Sequence, residues 1–158
     1  MLAYPLPLSI IMFREELKEI FIRELNKLEE EINAYADESK LWIIKGEIKN
    51  SAGNLCLHLN GNLQHFIGAM LGKTGYVRNR DAEFTDKNIP RNRLIELIHT
   101  SKKVINETLN QLDEENLAHN YPLQVFGKEM TTRFFLTHLT THLTYHLGQI
   151  NYHRRLTA

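Results

Sequence analysis

The sequence predicts an all-α fold, a four-helix bundle, on three observations. Apolar residues recur at three- and four-residue spacing in four long stretches, no stretch alternates as a strand would, and a run without a period separates the second stretch from the third. The first stretch runs from Ser9 or Met12 to about Ala36 and carries Leu17, Ile20, Phe21, Leu25, Leu28 and Ile32, with Glu and Lys between them. After a link containing Trp42 and Gly46, Asn50 or Ser51 supplies an N-cap for a second helix through Leu55, Leu59, Leu63, Phe66, Ile67 and Met70, ending before Gly72. Gly61 and Gly68 weaken that helix unless a neighbour packs closely against them. Residues 72–88 read as a long connection across the surface, which permits a crossover between helices two and three in place of an up-down-up-down order. Pro90 suits the first turn of a third helix carried by Leu94, Ile95, Leu97, Ile98, Val104, Ile105, Leu109 and Leu112. Residues 113–128 read mostly as loop. Thr131 or Thr132 then opens a fourth helix to about Arg155, with Phe134, Phe135, Leu139, Leu143, Leu147 and Ile150 on or near its apolar side.

A chain of 158 residues is expected to form one domain, 1–158, with 1–11 a flexible lead-in or a start-site extension ahead of Met12. Pro5 and Pro7 interrupt the uncharged N-terminal run and no basic residue precedes it, so it matches a secretory signal poorly. Nineteen basic residues balance nineteen acidic ones. That balance removes the positive field that binding to nucleic acid or an anionic membrane requires, and neither is expected as a partner. A single cysteine, Cys56, cannot form an internal disulfide, and a cytoplasmic location is the economical expectation.

Eight histidines are many for this length, and four of them lie between His138 and His153. At about 100° per residue, His142, His146, Gln149 and His153 fall roughly 40°, 80°, 20° and 60° from His138, on one narrow helix face. A single pair at i,i+4 would carry little weight, whereas a run of three at that spacing is rare by chance. Residues four apart stack one turn above another, so two imidazoles can converge on one ion, as in zincin helices. A third ligand must come from another element, and His58 on the second helix is the candidate, with Asn54, Asn62 and His65 roughly on its side. His65, two turns from His58, reads as a supporting group behind the ligands or a satisfied core residue, and His138 reads likewise, since one ion rarely engages three successive turns. His153 reads as a surface or partner-facing group, and His99 and His119 are isolated. Cys56 lies about 200° around the helix from His58 and is expected to be an inert packed thiol. From spacing alone, the alternative is a polar seam of interleaved His and Thr without a metal.

At these residues the chain resembles the DinB/YfiT-like metalloenzymes, in the branch described as domain of unknown function 1572. The stretches that carry the resemblance are residues 50–63 around His58, residues 75–84 (Gly-Tyr-Val-Arg-Asn-Arg-Asp-Ala-Glu-Phe), and His142-Leu-Thr-Tyr-His146-Leu-Gly-Gln149-Ile. The resemblance implies a DinB-like four-helix bundle with a crossed-over connection, often dimeric, with one metal held by His58, His142 and His146. It gives His138 no necessary role. Gly148 would let a neighbouring helix approach closely, and Gln149 could orient a ligand or a bound water. The 78–84 segment looks like a family signature. Its bland reading is an ion-pair cluster of Arg78 or Arg80 with Asp81 or Glu83, and its functional reading is a clamp on substrate.

Three neutral histidines leave coordination positions open and suit one divalent transition metal: Zn²⁺, Ni²⁺, Fe²⁺ or Mn²⁺. Such an ion lowers the pKa of a water or thiol that reaches it. Two chemistries follow: transfer of a low-molecular-weight thiol such as bacillithiol to an electrophile, preferred on the resemblance, or hydrolysis. No Glu sits beside the fourth-helix pair as in H-E-x-x-H, which counts against hydrolysis, and no catalytic residue is identified. A non-enzymatic bundle that holds a small ligand or a structural metal is the third reading. A homodimer is expected from the resemblance, weakly supported by aromatics read as exposed, Tyr121 and Phe126 among them.

Overall fold

The computed structural model describes residues 8–158, and among them the fold is all-α. The elements in chain order are α1 (Leu8–Asn33), a 3₁₀ turn (Glu38–Trp42), α2 (Ala52–Leu63) continued by a π-helical segment (Gln64–Ala69), α3 (Arg80–Thr85), α4 (Arg91–Gln111), α5 (Glu114–Ala118) and α6 (Thr132–Thr157). Most of the lead-in expected over residues 1–11 falls outside the described residues. No helix among the described residues is long and apolar enough to cross a membrane.

Local chemistry explains where the helices start and stop. Ser51 caps α2 by accepting a hydrogen bond from the Asn54 amide, and Thr131 caps α6 by accepting from Phe134. The stretches read as plain connections each contain a short helix with a side-chain cap. Asn79 accepts from the Ala82 amide to start α3, and Asp113 and Asn116 form a reciprocal capping box at α5. Helices of six and five residues are too short to show a hydrophobic period, so their caps are their only sequence signal. The π-helical segment is marked by i→i+5 bonds, Met70 N–H to the His65 carbonyl at 3.0 Å and Gly72 N–H to the Ile67 carbonyl at 2.9 Å.

Helices α1 and α2 each pack against both α4 and α6, and α2 also carries α3. The core between them is built from Phe21, Leu25, Leu28 and Ile32 of α1, Leu59 and Leu63 of α2, Ile98 and Ile105 of α4, and Leu139, Leu143 and Ile150 of α6, all buried. Each such side chain contributes about 1.5–3 kcal/mol by leaving water. Close approach explains two of the glycines: a Cβ at Gly68 would lie 2.7 Å from Val104 Cγ1, and one at Gly61 would overlap the Glu83 carboxylate.

The structure differs from expectation at four residues, Gly148, Tyr121, Phe134 and His153. Gly148 receives no neighbour, since a Cβ there would meet nothing within 4 Å. Tyr121 is buried and donates its hydroxyl proton to the Phe66 carbonyl at 2.7 Å, while Phe126 is exposed as expected. Phe134, placed near the apolar side, is exposed. His153 is buried, with Nε2 donating to the Ile43 carbonyl at 2.8 Å and Nδ1 bonded to the Tyr35 hydroxyl at 2.7 Å. It shares its helix face with His142 and His146, but three turns beyond His142 that face meets Tyr35 and the end of the 3₁₀ link in place of solvent.

The two glycines make opposite predictions. Gly68→Ala forces the methyl into Val104 and is expected to cost about 1–3 kcal/mol. Gly148→Ala, in open helix, is expected to add about 0.5–1 kcal/mol. Urea unfolding of the two variants beside the parent checks both signs.

Candidate metal centre

Helices α2 and α6 face each other through aromatic rings, and the three histidines singled out by spacing meet there. Nitrogens of His58, His142 and His146 all lie within 4.8 Å of one another. His58 is buried and the other two are half-buried, so the cluster has a closed side against α2 and an open one. The Nε2 atoms of His58 and His142 are 3.3 Å apart. Two nitrogens bound tetrahedrally to one ion at about 2.0–2.1 Å would sit at about 3.3 Å, the spacing of this pair, and the third nitrogen lies within 4.8 Å of both.

The outward nitrogens of two histidines are held by neighbours, which fixes the inward nitrogens as lone-pair donors. His58 Nδ1 lies 2.9 Å from Glu83 Oε2 and donates to it. On α6, His146 Nδ1 donates to Gln149 Oε1 at 2.6 Å, and Gln149 Nε2 donates to the Tyr145 hydroxyl at 3.3 Å.

Glu83 is the residue that the spacing argument did not find. Its carboxylate is buried and receives Arg78 Nε on Oε1 at 2.6 Å and Arg78 Nη2 on Oε2 at 2.8 Å, so the guanidinium and the imidazole share it. Burial alone would raise the Glu83 pKa, but hydrogen bonds from His58 and Arg78 outweigh it and hold the carboxyl below its ordinary value. The 78–84 segment is thus an ion-pair cluster, the plainer of its two readings, and one seated directly behind a candidate ligand. Phe84 packs on the His58 ring with centroids 5.0 Å apart, and the Arg80 guanidinium lies over Phe84 at 5.5 Å. The short α3 is clamped to α2 by Asn54, whose Nδ2 donates to the carbonyls of Glu83 and Asp86, both at 2.9 Å. Legible signals were the Asn79 cap and the acidic first turn of α3. Nothing in the sequence says that this turn lies across Gly61.

The remaining residues singled out take different places. His65 is half-buried at the start of the π-helical segment, beside Phe66. His138 packs against Phe126 and Phe135, with its ring 6.3 Å from that of His142, and stands outside the converging set. Asn62 is buried, and its Oδ1 has no hydrogen-bond partner among the described residues. Cys56 is fully buried on the other side of α2, where burial pushes its thiol up to about 12, as an inert packed thiol should behave.

The profile of the family described as "Protein of unknown function (DUF1572)" matches residues 11–157. No curated protein matches the chain.

Burial, with the crowding of neighbouring imidazoles opposing a further positive charge, pushes the His142 pKa down to about 4. Burial also lowers His65, His138 and His146. Each of these takes a proton more readily in the unfolded chain, so their contribution to stability is complete above about pH 6.5 and lost as pH falls through each lowered value, about 4 for His142. The unfolding free energy of metal-free protein is therefore expected to fall across that window, and His142→Gln to flatten the fall, measured by urea titrations at stepped pH.

Proposed function

This chain belongs to the DUF1572 family, and from that premise and the geometry we propose that it is a metal-dependent thiol S-transferase of the bacillithiol type, with one divalent ion held by His58, His142 and His146. The observation that carries the reading is the convergence of three imidazole nitrogens within 4.8 Å, one of them braced from behind by a buried carboxylate. Held by neutral nitrogens alone, an ion of the Zn²⁺, Ni²⁺, Fe²⁺ or Mn²⁺ kind would keep its full charge and make an incoming thiol acidic enough to react at neutral pH.

The chain's own residues set the conditions for this. Glu83 and Arg78 keep His58 in one orientation and tautomer, Gln149 does the same for His146, and Phe84 covers the back of the His58 ring. The half-buried sides of His142 and His146 leave a face from which a small molecule can approach. Hydrolysis is the weaker reading because it needs a free general base near the ion. Both oxygens of Glu83 are already engaged by Arg78 and His58, which leaves this carboxylate unsuited to accept a proton.

The same reading makes the fold a DinB-type four-helix bundle, with residues 70–90 as the crossover between α2 and α4. The packing of both α1 and α2 on α4 and α6 supports it, since consecutive helices then stand at opposite corners. The protein would act on small molecules in the cytoplasm as a homodimer. Exposed Phe134, Tyr145, Tyr152 and Leu156, which follow one face of α6, support a pairing surface there.

Protein purified without a histidine tag is expected to carry about one transition metal ion per chain by plasma mass spectrometry, and to lose it in His58→Ala and in His142→Ala while staying folded. Loss of the fold in His142→Ala, which leaves the Glu83 pairing intact, would make the ion structural. A metal-loaded parent that consumes no thiol across a panel of electrophiles would leave a binding module. Glu83→Gln and Gly61→Ala, the second displacing the carboxylate by a methyl, are each expected to weaken metal affinity about 10–100-fold in competition with a chelator.

A further inference from the structure

Asn62 sits one turn beyond His58 on the same face of α2. Helices α2 and α6 run antiparallel, since His58 meets His142 and His146 at ring distances of 5.2 Å, whereas Phe66, two turns on, meets Phe135 at 5.2 Å. Asn62 therefore stands between the histidine cluster and a wall of aromatic rings. Its side chain is 6% exposed, yet its Oδ1 accepts no hydrogen bond among the described residues. The other buried asparagines of this helix are engaged: Asn54 by α3 and Ser51, and Asn60 by Ser101 and by the Cys56 carbonyl. A buried carboxamide oxygen left unpaired lowers stability, and folded proteins keep few of them without a use. Neighbours along the two helices, His65, Phe66 and His138, are only half-buried.

We infer that Asn62 selects the molecule that enters the three-histidine site: its side-chain oxygen accepts a hydrogen bond from an N–H or O–H carried a few bonds from the reacting sulfur. The inference rests on the thiol-transfer reading and narrows its substrate class to thiols bearing an amide, amine or hydroxyl donor. A purely hydrocarbon thiol would leave the oxygen unpaired and bind poorly. Asn62 would thus set specificity, and the histidines reactivity.

Two probes differ at that one point: N-acetylcysteamine carries an amide N–H two carbons from its sulfur, and 2-mercaptoethyl acetate has an ester oxygen in its place. Binding to Co²⁺-loaded protein, followed by the visible absorption of the ion, is expected to be about tenfold tighter for the amide. Asn62→Leu, of similar shape, should bind both equally, take up Co²⁺ as the parent does, and melt a few degrees higher in the metal-free state because the unpaired oxygen is gone. Equal binding of the two probes by the parent overturns the inference, as does a lower melting temperature for Asn62→Leu, which would mean that the oxygen is satisfied by water. A parent that takes up no Co²⁺ overturns the three-histidine reading itself, and that outcome is distinct from both.

Discussion

One buried carboxylate organises this end of the molecule. Glu83 is shared by the His58 imidazole and the Arg78 guanidinium, and each of the three is unfavourable in the interior without the other two. The surrounding sequence reads as the means of putting it there. Gly61 omits the methyl that would fill its place, Asn79 starts the short helix that carries it, and Asn54 pins that helix by its last carbonyls. Removing one partner of such a group costs about 3–5 kcal/mol, because a charge stays buried alone. The orientation of His58 is therefore tied to a network that cannot relax piecemeal.

Much of this was legible in the sequence, and the boundary of legibility has a physical basis. The four long helices announced themselves by period because each buries a continuous apolar stripe. His142 and His146 were legible for the same geometric reason, four residues being about one turn. His58 needed a tertiary fact, that its face of α2 turns toward α6, which the resemblance supplied and spacing could only suggest. Glu83 was one of several acidic residues in a segment without a period, and its choice over Asp81 is made by contact with Gly61 across a loop. The errors have a common origin too. Local pattern says which face a residue is on but not what that face meets, and so points His153 and Tyr121 outward; both are covered by distant segments, Tyr35 with Ile43 in one case and Phe66 with Phe135 in the other.

Helix α2 is unusual in burying polar residues along most of its length: Asn54, His58, Asn60 and Asn62, then Gln64 just beyond its end. Such a helix gains little from water exclusion on those sides and depends on partners for each group. Asn60 takes its partner from Ser101 of α4 and Asn54 from α3, so the helix is oriented by directional bonds as well as by Leu59 and Leu63. Packing of apolar chains alone tolerates small rotations. A helix bonded on several sides does not, and a site that needs nitrogens placed to within a fraction of an ångström benefits from that rigidity.

The π-helical turns at Gln64–Ala69 add a consequence of a different kind. They hold one residue more than an α-helix would over the same rise, so everything after them is out of phase with everything before. The half of the helix that aims His58 and the half that packs Ile67 and Gly68 toward α4 are thereby decoupled in angle. In chains of this build, a one-residue insertion or deletion falling in this stretch could be taken up locally, as slack in a coil. The histidine would keep its bearing while the far half of the helix drifted in register over generations.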